Sequence, residues 1–139
     1  MIILDTDHMT ILERGGSGSL GLVLRLGNLA DSEVSTTIVS YEEQCKGWLS
    51  KTAREKDESL IHAYQQLGIH LEIYAGMRVL SYDSEAHRIF TELQKQKIRI
   101  GTQDLKIASI SLANNATLLT RNIRDFEKVP DIKVEDWSI

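Results

Sequence analysis

Five short runs rich in aliphatic or β-branched residues alternate with longer stretches of helical spacing, and this alternation narrows the possible folds more than any other feature. Met1–Leu4 is a continuous apolar run of the kind that fills a strand buried on both faces. Glu33–Thr37, Arg78–Tyr82, Thr117–Thr120 and Ile132–Val134 read as four further strands. Between them the spacing predicts a helix over Asp7–Arg14 with Asp7 as its N-cap, a loop at Gly15–Ser19, and a helix over Leu20–Leu29 in which Leu20, Val23, Leu24 and Leu26 recur at helical intervals. Ser40 is placed to cap a helix through Glu43, Cys45 and Trp48 to about Leu49. A long helix is expected over Ala53–Tyr74, with Leu60, Ile61, Tyr64, Leu67, Leu71 and Tyr74 on its apolar face and Gly76 ending it. Another runs from Asp83 or Ser84 to about Lys97.

Thr102 opens a helix through Ala113 that is apolar nearly all round, which predicts a central, buried position. Asn122 caps a short turn before the single proline, Pro130. Strand–helix alternation without repeats, linkers or low-complexity segments predicts one α/β domain over residues 1–139. Its architecture would be three layers, α/β/α, around a central, mainly parallel five-stranded sheet.

A chain of 139 residues buries roughly two-thirds of its unfolded surface without needing cross-links. Cys45 is the only cysteine, so no intramolecular disulfide forms and a reducing compartment is expected. Its expected role is a small packed thiol rather than a nucleophile. The absence of a charged leader or a long apolar run points to a cytoplasmic protein without membrane contact. The net charge of −4 gives no support for nucleic-acid binding by overall electrostatics. It leaves open a site whose acids lower the total while basic residues line the rim.

Four acids stand where strands end or helices begin: Asp5, Glu43, Asp104 and Asp125. A parallel α/β fold gathers such positions at the carboxyl edge of its sheet. Carboxylates held close together raise one another's pKa unless a cation offsets them. Hard oxygen donors suit Mg²⁺ or Mn²⁺, so the pattern points to metal-dependent phosphoester chemistry. Each acid also has a local alternative. Asp5 could be a loop or cap residue, and Glu43 could close a capping box with Ser40. Asp104 could serve the helix dipole, and Asp125 could pair with Asn122.

Asp7 is a weaker candidate that reads first as a cap. His8 is expected to cap or to lie behind the acids, and His62, His70 and His87 to lie at the surface or an interface. Lys46, Lys51, Arg54, Arg121 and Arg124 either line the site as phosphate contacts or belong to solvated helix faces. Tyr64, Phe90 and Trp48 are expected in the core.

Several segments resemble, in order and spacing, the PIN domain and within it the VapC-type toxins of toxin–antitoxin modules. Ile3-Leu4-Asp5-Thr6-Asp7 resembles the family's opening strand and Asp-Thr-Asp/Asn motif, and Glu43 with Gly47 its Glu-x-x-x-Gly element. Ile100–Ala108 resembles the segment carrying a third acid. Thr120–Phe126 resembles the late Thr-x-Asn-x-x-Asp-Phe motif, and Val134–Trp137 is similar to the usual ending. The resemblance implies an Mg²⁺- or Mn²⁺-dependent endoribonuclease toxin. Asp5 and Asp104 would be its principal metal ligands, Glu43 and Asp125 would complete the acidic site, and Asn122 would support it. Among the basic residues named above, Lys46, Arg121 and Arg124 are the expected RNA contacts of such a site. A cognate antitoxin and a homodimer are implied as partners. Gly47 favours Glu43 over the adjacent Glu42 as the site acid. The Gly/Ser loop departs from the family pattern and leaves the shape of the site's entrance open.

Two other readings remain at this stage. The opening also resembles haloacid-dehalogenase-type phosphatases, in which Asp5 would be a nucleophile, although Met9 departs from that pattern and no later Lys motif follows. The second is a PIN-like scaffold that binds RNA or protein without cutting.

Overall fold

The computed structural model describes residues 1–139. Five strands form one sheet: β1 (Ile2–Leu4), β2 (Val34–Thr37), β3 (Arg78–Leu80), β4 (Thr117–Leu119) and β5 (Lys133–Glu135). Their order is β3-β2-β1-β4-β5, and every pairing is parallel. β1 is central. The chain builds outward from it on one side through β2 and β3, then crosses back to place β4 on the other. This creates a switch point beside β1, where ligands of open α/β sheets bind.

The helices are α1 (Thr6–Arg14), α2 (Leu20–Leu26), α3 (Ile38–Arg54), α4 (Asp57–Ala75), α5 (Ser84–Lys95), α6 (Thr102–Ala113) and α7 (Ile123–Phe126). Alternation along the strands divides the core. Ile3 and Leu118 face a cluster with Phe90, Leu93, Ile107 and Ile110 of α5 and α6. Leu4 and Leu119 face the opposite layer, with Met9, Leu22 and Tyr74 of α1, α2 and α4. The buried hydroxyls of β2 are satisfied across the sheet, Ser35 Oγ donating to the Ile2 carbonyl and Thr36 Oγ1 to that of Leu4. As expected, α6 is the buried helix, with Leu105, Ile107, Ala108, Ser109, Ile110 and Ser111 all enclosed.

Several expectations are corrected. Asp5, not Asp7, caps α1, its carboxylate accepting the His8 backbone N–H at 2.9 Å. Thr37 rather than Ser40 caps α3, so that helix starts earlier and Glu43 lies past its first turn, outside any capping box. The long helix expected from Ala53 begins only at Asp57, because α3 itself continues to Arg54. Lys51 and Arg54 close one helix and Asp57 and Glu58 open the next, the charge order that helix dipoles favour. The Gly/Ser loop holds a single 3₁₀ turn at Ser17–Ser19, and α2 stops at Leu26 instead of Leu29.

The apolar face expected on α4 is also corrected. Ala63, His70 and Tyr74 turn inward, while Ile61, Tyr64 and Leu71 are exposed. Leu20, Val23 and Leu24 of α2 are exposed likewise, and only Leu22 is buried there. His70 is a core residue. It stacks on Tyr41 with ring centroids 5.1 Å apart and lies 3.4 Å from the Cys45 sulfur and 3.6 Å from Glu13. No helix is long and apolar enough to cross a membrane.

Candidate active site

Parallel strands end at a common edge, and the functional candidates lie there for topological reasons. Asp5 follows β1 directly and is nearly buried. Glu43 comes one and a half turns into α3, which leaves the adjacent strand β2 at the same edge. α6 leads into β4 and therefore runs against the strand direction, which brings its first turn, with Asp104, back to that edge. Asn122 and Asp125 follow the end of β4.

The charges of these groups register on one another. Burial pushes the Asp104 carboxyl up to about 6, and Glu43, Asp5, Asp7 and Asp125 add to the rise. Burial also raises Glu43, the Thr6 hydroxyl opposes this, and Asp5, Asp7 and Glu42 reinforce it. Asp7 is raised by burial and by Asp5, against the lowering influence of Arg121. Asp5, Asp7, Glu43 and Asp104 thus share one negative field.

Neighbours orient these acids. Thr6 Oγ1 donates to Glu43 Oε1 at 3.1 Å and lies 3.2 Å from Ser40 Oγ. Ser40 Oγ in turn lies 3.2 Å from the capping hydroxyl of Thr37. Glu42 points elsewhere, accepting from Gln103 Nε2 at 2.8 Å and pairing with Lys46 at 3.6 Å. Lys106 Nζ donates to Gln103 Oε1, so Glu42, Gln103 and Lys106 bridge α3 and α6 just beside Glu43 and Asp104. The adjacent pair is thereby separated into an acid that faces Thr6 and one that bridges to α6.

Asp125 is set apart from the other three. Asn122 Nδ2 donates to its Oδ2 at 3.0 Å and Lys128 Nζ approaches its Oδ1 at 3.3 Å, and these partners hold its carboxyl below the usual range. Asn122 stands at the N-cap position of α7 but spends its side chain on Asp125. Arg121 and Arg124, on either side of Asn122, are exposed at this margin, and Lys46 is exposed on α3.

The contacts of Thr6 with Glu43 and with Ser40, and the nearness of Asp7 to Asp5, were not read from the sequence. The Asp-Thr-Asp motif contained the signal for Thr6 and Asp7. No three His, Cys, Asp or Glu side chains converge tightly enough to grasp an ion as they stand. The donor chemistry nonetheless suits a hard divalent cation: carboxylate oxygens, with Glu43 held by the Thr6 hydroxyl, and Glu43 and Asp104 both raised first by burial and then by neighbouring acids. A mainly apolar cavity of about 540 Å³ lies next to the bridge between α3 and α6, between α3 and Tyr82, lined by Val39, Tyr41, Cys45 and Leu49 together with Glu42, Lys46 and Lys106.

No protein-family model matches the chain. Ribonuclease VapC1 of Haemophilus influenzae (strain R2866) is 41% identical over 112 residues, which is 79% of this chain and 78% of that protein. Ribonuclease VapC2 of Rickettsia felis matches more locally, 47% identical over 48 residues, 34% of this chain and 36% of its own length. Among solved structures, VapBC-1 from nontypeable Haemophilus influenzae superposes over 100% of both chains with a TM-score of 0.80 at 23% identity. The three-layer fold, with its acids at the carboxyl edge of a five-stranded parallel sheet, is that of a PIN domain. Within that class, the chain belongs to the VapC ribonuclease family. Family membership displaces the dehalogenase-type phosphatase alternative.

Proposed function

We propose that this chain hydrolyses RNA phosphodiester bonds at the carboxyl edge of its sheet, with Mg²⁺ or Mn²⁺ held by Asp5, Glu43 and Asp104. The observation that carries this reading is that three acids far apart in sequence, after β1, in α3 and in the first turn of α6, come to one edge of the sheet, where Asp5 and Glu43 both raise Asp104 and Asp5 raises Glu43. When bound, such a cation activates a water and offsets charge developing on the phosphate. The protein's own part is to hold the donors. Asp5 is fixed as a helix cap, Glu43 is held by Thr6, and Asp104 is set in the first turn of the buried α6. Asp125, oriented by Asn122, contributes from the margin. Arg121, Arg124 and Lys46 are proposed to contact RNA phosphates. The 2′-OH and unpaired bases of the substrate would provide recognition beyond the phosphates.

As a VapC-family ribonuclease the chain is the toxin of a toxin–antitoxin pair. The related structure is a VapBC complex, and the proposal extends to a cognate antitoxin that covers the acidic edge with a basic side chain and packs a helix on the protein. The exposed apolar residues of α2 and α4 suit such a helix. A homodimer and a cytoplasmic location belong to the same proposal.

The test is incubation of the purified protein with tRNA and ribosomal RNA fragments in Mg²⁺, in Mn²⁺ and in EDTA, beside Asp5→Asn and Asp104→Asn. Cleavage with either ion, abolished by EDTA and by each substitution, is expected. Cleavage that survives EDTA or both substitutions rules the reading out.

A further inference from the structure

His8 is fully buried behind the first acid, and no step described above uses it. Its ring is held from two sides. The Trp137 backbone N–H donates to Nε2 at 3.2 Å. Nδ1 stands 3.5 Å from Asp5 Oδ1 and has no hydrogen-bond partner. A ring nitrogen that accepts from a backbone N–H carries no proton, so the neutral ring bears its proton on Nδ1, the nitrogen beside Asp5.

The segment that supplies this N–H is itself anchored. Arg25 lies over the Trp137 ring at 4.8 Å, and Trp137 packs against the Leu4, Met9 and Leu22 cluster. The neighbouring Asp136 carboxylate lies 3.7 Å from Nε2 and is occupied by the Ser138 N–H and hydroxyl. Asp5 Oδ1 therefore accepts the His8 backbone N–H and has the His8 ring nitrogen 3.5 Å away. Oδ2 has no protein partner and is not a buried orphan, so it faces an accessible space.

We propose that His8 is a positioning residue through which the C-terminal segment sets the Asp5 carboxylate, Trp137 fixing the ring tautomer so that the Nδ1–H faces Oδ1. The consequence, that Oδ2 is the oxygen offered to a cation, rests on the metal reading above. The tautomer and the hold on Asp5 do not. An asparagine amide at this position can place a donor near Nδ1, whereas the longer glutamine amide reaches the Nε2 position, where its oxygen can accept from Trp137, and leaves Oδ1 with the backbone N–H alone.

The test uses isotope-labelled full-length protein without RNA. It reads the His8 ring nitrogens and the Asp5 side-chain carboxyl carbon by NMR, and Mn²⁺ affinity by calorimetry, in wild type, His8→Asn, His8→Gln and Trp137→Pro. The wild-type ring should be the Nδ1–H tautomer, and Trp137→Pro should lose that preference. His8→Asn should keep the Asp5 shift and bind Mn²⁺ within about threefold of wild type, while His8→Gln and Trp137→Pro move the Asp5 shift and lose about tenfold or more in affinity.

An Nε2–H ring in the wild type, or equal losses in His8→Asn and His8→Gln, overturns the proposal. If the wild type has the Nδ1–H ring and the expected Asp5 shifts but binds no Mn²⁺, the metal reading fails while the role of His8 stands. Should His8→Gln not fold, the wild-type tautomer and the His8→Asn shift still decide.

Discussion

Thr6 Oγ1 donates to Glu43 Oε1 at 3.1 Å, joining the residue after the first acid to the second acid across 37 positions of chain. It is the one hydrogen bond that ties α1 to the Glu43 carboxylate, and it opposes the rise that burial imposes on that group. Thr6→Val should therefore lower RNA cleavage about tenfold, the rate equivalent of about 1.4 kcal/mol and near the lower end for a hydrogen bond to a charged group. Thr6→Ser should stay within about twofold. Initial cleavage rates of the two variants check this, with thermal melting to confirm intact folding.

Glu42 and Glu43 are neighbours with different surroundings, and they should behave differently. Glu43→Gln should reduce cleavage by about a hundredfold or more, as expected for loss of a group that holds the reacting centre. Glu42→Gln keeps an acceptor for Gln103 and should stay within about threefold. Equal losses in the two variants would place the wrong acid in the site.

The Asp104 carboxyl, pushed up to about 6, links stability to pH. Between the ordinary carboxylate range and about 6, the folded protein holds a proton that the unfolded chain has released. Stability from this group is fully present at low pH, falls as pH rises through that window and is flat above it. Asp104→Asn has no such slope. In EDTA at pH 7.5 it should be more stable than wild type by an amount of the order of 1 kcal/mol once solvent screening is allowed for. Urea midpoints from pH 4 to 8 measure the difference.

Asp125 is already served by Asn122 and Lys128 at the margin of the cluster. Asp125→Asn should cost no more than about tenfold in cleavage and leave Mn²⁺ affinity within about twofold, the pattern of a group outside the innermost contacts. A loss equal to that of Asp104→Asn would bring Asp125 inside the site.

Much of this arrangement was legible in the sequence because buried strands are short and unambiguous. Ile2–Leu4 and the apolar stretch from Leu105 announced the central strand and helix, and with them Asp5 and Asp104. Capping was less legible. Asp5 and Asp7, or Thr37 and Ser40, are equally good caps by residue type, and only the tertiary path selects between them.

The apolar face of α4 misled for a different reason. Periodicity marks a face that seeks cover without saying whether the cover belongs to the same chain. The burial of His70 and His8 depends on partners 25 and 129 positions away, beyond the reach of any local pattern.

The most direct test of the central claim is calorimetric titration of Mn²⁺ into the RNA-free protein at pH 7.5, beside Asp5→Asn, Glu43→Gln and Asp104→Asn. Mn²⁺ should bind the wild type, should bind each variant more weakly by about tenfold or more, and should raise the melting temperature of the wild type more than that of any variant. Absence of binding to the wild type, or binding that all three substitutions leave unchanged, would contradict that claim.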